Sequence, residues 1–128
     1  MSFTYRQLEE INEELVVKAE EIVKKIKGRV GKSDDTGRSQ LSRAIEVARS
    51  AKSFKVFNNW MAYQASRPQS SKFWKELGLI DHIRGVMQSL EKDERLPDKA
   101  AKVEALVRFL GFFRRAFIGR DYLGGDCS

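Results

Sequence analysis

The chain of 128 residues has the length of one domain, with 41% hydrophobic residues, 33% charged residues and a formal net charge of +6. Only two prolines and nine glycines occur, so the composition excludes a disordered or collagen-like chain. The single cysteine, Cys127, excludes an internal disulfide bond and a cysteine-rich zinc site. Because neither a membrane-spanning apolar run nor a secretory leader is seen, we expect a cytoplasmic protein.

The first predicted element is an amphipathic helix over residues 4–26. Thr4 and Gln7 have the spacing of a capping box, and Gly28 supplies a stop signal. Glutamates in the first half and lysines in the last turn complement the helix dipole. The apolar positions recur at helical spacing, at Leu8, Ile11, Leu15, Ile22 and Ile26.

Residues 28–38 contain three glycines and no hydrophobic periodicity, which predicts a flexible loop. Within it, Gly31-Lys32-Ser33 resembles part of a phosphate-binding loop. The upstream glycine of that motif would fall at Ile26, and a predicted helix stands where the motif requires a strand. We therefore reject this interpretation.

Four further helices are predicted: over residues 39–51, from there to 66, over 79–90 and over 97–117. A short helical segment is predicted over 72–77. Ser39 and Ser71 are predicted caps, and Pro97 is placed in the first turn of the last helix. Residues 119–128 hold three glycines and are predicted to fray. The expected fold is all-α, a compact bundle of five to six helices forming one domain over residues 1–128.

The net positive charge is concentrated in the middle of the chain. Residues 31–75 hold nine basic residues against three acidic ones, while residues 1–30 are neutral overall. A local excess of this kind suits a phosphate-binding face, although a solvated helix surface gives the same count. Both interpretations stay open at this point.

Residues suited to catalysis are scarce. His82 is the only histidine and is predicted to be an exposed helix residue, and Cys127 has no adjacent base. Asp34 and Asp35 could bind a cation, but such a pair is more often a turn or cap feature. We therefore predict no enzyme activity, no catalytic residue, no metal ligand and no cofactor.

Aromatic residues alternate with basic ones between positions 52 and 67. Such a mixture is typical of single-stranded nucleic-acid platforms, where bases stack on rings. The helical spacing of Phe54, Phe57 and Trp60 favours burial in the core instead. Near the end of the chain, Arg114 and Arg115 either stabilise the helix terminus or contact phosphates.

The order of several short segments resembles the small helical subunit of type III CRISPR effector complexes, in particular the Csm-type small subunit. The resemblance covers about residues 17–123. It is carried by residues 39–41 (Ser-Gln-Leu), 62–67 (Ala-Tyr-Gln-Ala-Ser-Arg), 73–83 (Phe-Trp-Lys-Glu-Leu-Gly-Leu-Ile-Asp-His-Ile), 103–107 (Val-Glu-Ala-Leu-Val) and 118–121 (Ile-Gly-Arg-Asp).

The resemblance implies a non-catalytic RNA-binding subunit that serves antiviral defence. Its expected partners are the backbones of a guide RNA and a target RNA, other subunits of the complex, and copies of itself. It implies neither a small-molecule substrate nor a membrane. Because the RNA hybrid varies in sequence, such a subunit would recognise phosphates, sugars and A-form shape rather than bases.

The predicted RNA-binding residues come from two sources. Arg43, Arg67 and Arg120 lie at or beside positions of the family motifs. Local charge adds Arg38, Lys52, Lys55, Lys72, Arg114 and Arg115. Two other hypotheses remain: a helical protein–protein adaptor without nucleic-acid binding, and, ranked last, a DNA-binding helical domain.

Overall fold

The computed structural model describes residues 5–30 and 35–123, and within these ranges it contains five long helices and no β-strand. This confirms the predicted all-α bundle. Thr4, the predicted cap, and Cys127 lie outside the described residues. The long helices are α1 (Tyr5–Ile26), α2 (Asp35–Ala51), α3 (Phe54–Ser66), α4 (Leu79–Glu91) and α5 (Lys99–Ile118), and short helical turns occupy Lys27–Arg29, Lys72–Glu76 and Arg120–Tyr122.

Successive helices run in alternating directions along the bundle. The α2–α3 and α4–α5 connections meet at one end, here called the lower end, where Glu91 and Lys102 form an ion pair of 2.8 Å. The C-termini of α1 and α5 meet at the opposite, upper end, where Lys27 Nζ lies 3.8 Å from Asp121 Oδ1. Helices α1 and α5 are therefore parallel neighbours.

Helix α5 is the centre of the bundle. It packs against α1, α2 and α4, and half of its twenty residues are buried. The predicted apolar stripe of this helix is confirmed, since Val103, Leu106, Leu110, Phe113 and Phe117 are all buried. Helix α1 packs chiefly against α5, using the predicted positions Ile11, Leu15, Ile22 and Ile26.

Helix α2 begins at Asp35, so the prediction of a loop through residue 38 and a cap at Ser39 was wrong. The reason is tertiary packing around Gly37. An added Cβ atom at this buried glycine would lie 2.8 Å from the Phe117 ring and 3.0 Å from the Phe73 ring. The glycine that suggested a loop instead lets the first turn of α2 approach the core closely.

Two caps fix the lower ends of the helices. Ser53 accepts a hydrogen bond from the Val56 amide at the start of α3, and Asp98 accepts one from Ala101 at the start of α5. Pro97 thus precedes the cap of α5 instead of entering its first turn. Ser71, another predicted cap, makes no capping bond and has helical backbone angles.

An aromatic cluster joins the upper halves of α2, α3 and α5 to the π-helical turn. Trp74 is fully buried, and its ring contacts Trp60 and Phe73 edge-on at centroid distances of 5.7 Å and 5.2 Å. Its Nε1 donates a 2.7 Å hydrogen bond to Gln40 Oε1 on α2. This cluster sets which sides of α2 and α3 face each other.

Arg95 ties the α4–α5 connection to α1. Its guanidinium donates two hydrogen bonds of 2.8 Å to the carboxylate of Glu14 and two, of 3.0 Å and 2.7 Å, to the carboxylate of Asp93. These bonds hold the pKa values of Glu14 and Asp93 below their usual range, and the two carboxylates raise the pKa of Arg95. At the upper end, where fraying was predicted, a 3-10 turn follows α5 and Leu123 is half-buried against the core.

Candidate nucleic-acid interface

The predicted basic residues do not form one continuous cluster; they lie on several parts of the bundle surface. Lys55 and Arg67 stand at opposite ends of α3, about 18 Å apart along its axis. Three regions carry most of the set: the α2–α3 face, a groove at the lower end and a cleft at the upper end.

The α2–α3 face carries Arg43 and Arg67. On α3, a row at helical spacing consists of Val56, Trp60, Tyr63 and Arg67. Trp60, within this row, packs against Trp74, which is bonded to Gln40 of α2. Arg43 follows Gln40 by three residues and is exposed beside it.

Lys52 lies in the tight connection between α2 and α3 and has a left-handed backbone, with φ of 60°. This conformation is strained for a residue with a side chain, and it directs the chain abruptly from α2 into α3. Lys52 is exposed and sits next to the cap residue Ser53. It therefore places a positive charge at the boundary between the α2–α3 face and the lower end.

A groove of about 310 Å³ at the lower end, here called the lysine groove, is lined by Lys55, Lys99 and Lys102. Its base includes Phe54 and Val103, and Glu91 is its one acidic residue. A neighbouring groove shares Lys55 and contains Arg84, which donates a 2.8 Å hydrogen bond to Asn58 Oδ1. The sequence-based prediction missed Lys99, Lys102 and Arg84, since they are remote from the basic segment in the chain.

A cleft of about 410 Å³ at the upper end, here called the upper cleft, holds Lys72. Arg29 also lines it and donates hydrogen bonds to the carbonyl oxygens of Glu76 and Leu77. Arg120 lies next to this cleft, with its guanidinium 4.8 Å from the centroid of the Phe117 ring. Arg38 directly follows Gly37, which lines the same cleft.

Arg114 and Arg115 lie on the last turns of α5. Arg115 is exposed, and its guanidinium lies 5.9 Å from the Phe112 ring centroid. Arg114 is half-buried, and its Nε atom finds no hydrogen-bond partner in the described part of the chain. Neither residue lines the lysine groove or the upper cleft.

Four of the predicted residues have exposed, positively charged side chains that form no polar contact with the rest of the described bundle. Across residues 5–30 and 35–123, no hydrogen bond or ion pair engages the side chains of Arg43, Lys52, Lys55 or Lys72. Six of the eighteen acidic residues lie on α1, where four glutamates and Lys18 surround the exposed Val17. Since α1 and α2 both pack on α5 with little contact between them, the two charged surfaces are separated.

His82 is half-buried on α4, not exposed as predicted. Burial lowers its pKa, and the charges of Lys25 and Lys18 on α1 lower it further. The folded pKa thus lies below the unfolded value of about 6.5. The corresponding stability is present above that pH and is lost as the pH falls through the folded pKa.

We therefore expect the free energy of unfolding to decrease as the pH falls from about 7 to about 5.5. A His82→Gln variant should show a flatter profile over this range, because it has no imidazole to protonate. Urea denaturation followed by circular dichroism at each pH measures the difference. Parallel losses in the two proteins would show that His82 is not responsible.

Within the described residues, no group of three His, Cys, Asp or Glu side chains is arranged to hold a metal ion. None of the described helices is long and apolar enough to cross a membrane. Comparison with known proteins gives no match to a family model, a curated protein or a solved structure.

Proposed function

We propose that this protein is a non-catalytic, RNA-backbone-binding small subunit of a type III CRISPR ribonucleoprotein acting in antiviral defence. The observation that supports it best is the exposed set Arg43, Lys52, Lys55 and Lys72, whose side chains have no partners among the described residues, on a bundle whose largest group of glutamates lies on α1. Binding phosphates with such side chains releases counterions and gives affinity without reading sequence.

The positions of the lysines support a ligand-binding role over a purely structural one. Lys55 lies in the first turn of α3, which has no acidic residue, while Lys99 and Lys102 lie in the first turn of α5, next to the acidic cap Asp98 and the ion-paired Glu91. Positive charge at a helix N-terminus opposes the helix dipole and is unfavourable for folding. An anionic partner would offset this cost.

The surface also suits an elongated partner. The basic residues lie at the lysine groove, on the α2–α3 face and at the upper cleft, and the groove and the cleft are open instead of forming one enclosed pocket. A nucleic-acid backbone can follow such a series of contacts, whereas a small molecule would need convergent groups in one cavity. In this proposal, cleavage of RNA belongs to other subunits.

The experiment is RNA binding across a salt series, with the isolated chain and with assembled particles. Changing Arg43, Lys52, Lys55 and Arg67 together to glutamate should lower RNA affinity at least tenfold at about 0.1 M salt. The slope of log affinity against log salt should also become shallower, by about one for each phosphate that the variant no longer binds.

A matched control has the same total charge change on exposed residues outside this face: Arg6, Lys24, Lys25 and Lys92 changed to glutamate. The proposal expects the control to bind RNA much more tightly than the test variant. Equal losses would indicate an effect of net charge alone. Absence of salt-dependent RNA binding by the wild-type chain, both isolated and assembled, would disprove the proposed function.

The alternative, a helical protein–protein adaptor, is favoured by one observation. Val56 is 52% exposed and Tyr63 is 59% exposed on the same row of α3, with the half-buried Trp60 between them. Such apolar exposure is also typical of protein-docking surfaces. Purification of the native complex separates the two functions, because nuclease-resistant RNA supports the first and a protein partner without RNA supports the adaptor.

A further inference from the structure

The aromatic residues of α3 divide between the core and the surface. Phe57 is fully buried, and Trp60 is half-buried against Trp74. Tyr63 lies on the same row of α3 as Trp60, but its side chain is 59% exposed. The core interpretation therefore holds fully for Phe57 and in part for Phe54 and Trp60, which pack half-buried against the core, and it does not account for the Tyr63 ring.

Tyr63 has a cationic neighbour held in a defined position. The Arg67 guanidinium lies over the ring, 5.5 Å from its centroid, and donates a 3.5 Å hydrogen bond to Gln64 Oε1. Gln64 is itself buried, and its side chain and carbonyl oxygens accept hydrogen bonds of 3.2 Å and 2.7 Å from Ser70 Oγ. The network orients Arg67 on the ring and leaves much of Tyr63 accessible.

We propose that Tyr63 is a stacking site for an unpaired RNA base, with Arg67 placed to meet an adjoining phosphate. This inference rests on the proposed RNA-binding function and adds a ligand class, the single-stranded nucleotide, to a surface otherwise expected to bind only backbone. An aromatic ring beside arginine is the arrangement that binds bases without sequence preference, because every base has a π-face.

Tyr122 shows why exposure alone does not define this site. It is 91% exposed in the turn after α5, yet no guanidinium or ammonium group of the described chain lies over its ring. The nearby Arg120 instead covers Phe117. Tyr122→Ala is therefore a matched control for the removal of an exposed tyrosine.

The experiment uses the full chain with two probes: a single-stranded RNA containing 2-aminopurine and a fully paired RNA duplex of the same length. We expect Tyr63→Ala to weaken single-strand binding about tenfold and to abolish the quenching of 2-aminopurine fluorescence. Tyr63→Phe should retain both, since the ring remains. Duplex affinity should stay unchanged in both variants, and Tyr122→Ala should match the wild type.

The outcomes distinguish this inference from the proposed function. If Tyr63→Ala binds both probes as tightly as the wild type, the stacking site is disproved while backbone binding stands. If the wild type binds neither probe in a salt-dependent way, the proposed function fails first. If Tyr63→Ala loses a protein partner and keeps full single-strand affinity, the row belongs to a protein interface and the stacking site is again disproved.

Discussion

Replacing Trp74 by alanine is expected to lower the free energy of unfolding by about 3–5 kcal/mol. The indole is fully buried and makes edge-on contacts with Trp60 and Phe73. Its removal creates a cavity where α2, α3 and the π-helical turn meet. It also removes the donor that pairs with Gln40 Oε1 in a partly buried position.

Trp74→Phe separates these two contributions. It keeps an aromatic ring in the cluster but leaves Gln40 without its donor, and we expect a loss of about 1–3 kcal/mol. Urea denaturation followed by far-ultraviolet circular dichroism gives both values independently of tryptophan fluorescence. A loss below about 1 kcal/mol for Trp74→Ala would mean that this cluster does not join the helices as described.

The second prediction compares two glycines within helices, which should respond to alanine with opposite signs. Gly37→Ala is expected to destabilise the protein by about 1–3 kcal/mol, because the new methyl group would overlap the Phe117 and Phe73 rings. Gly85 on α4 has no atom of another described side chain or element within 4 Å of its added Cβ, so Gly85→Ala should stabilise by about 0.5–1 kcal/mol through helix propensity.

Thermal and urea denaturation of the two variants against the wild type measure this difference in sign. The comparison is internally controlled, since both changes add one methyl group to a helical glycine. Stabilisation by Gly37→Ala would show that the Phe117 ring moves aside without cost. Destabilisation by Gly85→Ala would show that α4 is packed more closely at this position than the structure indicates.

The parts of the fold that the sequence predicts well are those decided by local pattern. Helices α4 and α5 were located to within two residues at each end, since apolar spacing, Gly78 and the region of Pro97 and Asp98 all bear on their limits. The start of α2 was not located correctly, because Gly37 has the local signature of a loop. In the fold, this glycine instead lets α2 pack closely against the Phe117 ring. Hydrophobic periodicity cannot show that a position requires glycine because a ring remote in the sequence occupies the adjacent space.

The candidate site was predicted in part for a similar reason. Counting charge along the chain found Arg43, Lys52 and Lys55 but treated them as one group with Lys72, which the fold places at the other end of the bundle. It could not find Lys99 and Lys102, since the groove exists only when the fold brings the start of α5 near the start of α3.

The parallel packing of α1 on α5 has a consequence for how the chain folds. Helices α3 and α4 pack mainly against segments close in sequence, whereas the principal partner of both α1 and α2 is α5, the last of the described long helices. Contacts between remote segments carry a larger loop-closure cost and form late. During synthesis, the ribosome releases α1 first, and its apolar side, with Ile11, Leu15 and Ile22, stays uncovered until α5 emerges. Chaperone binding to nascent chains should accordingly centre on α1.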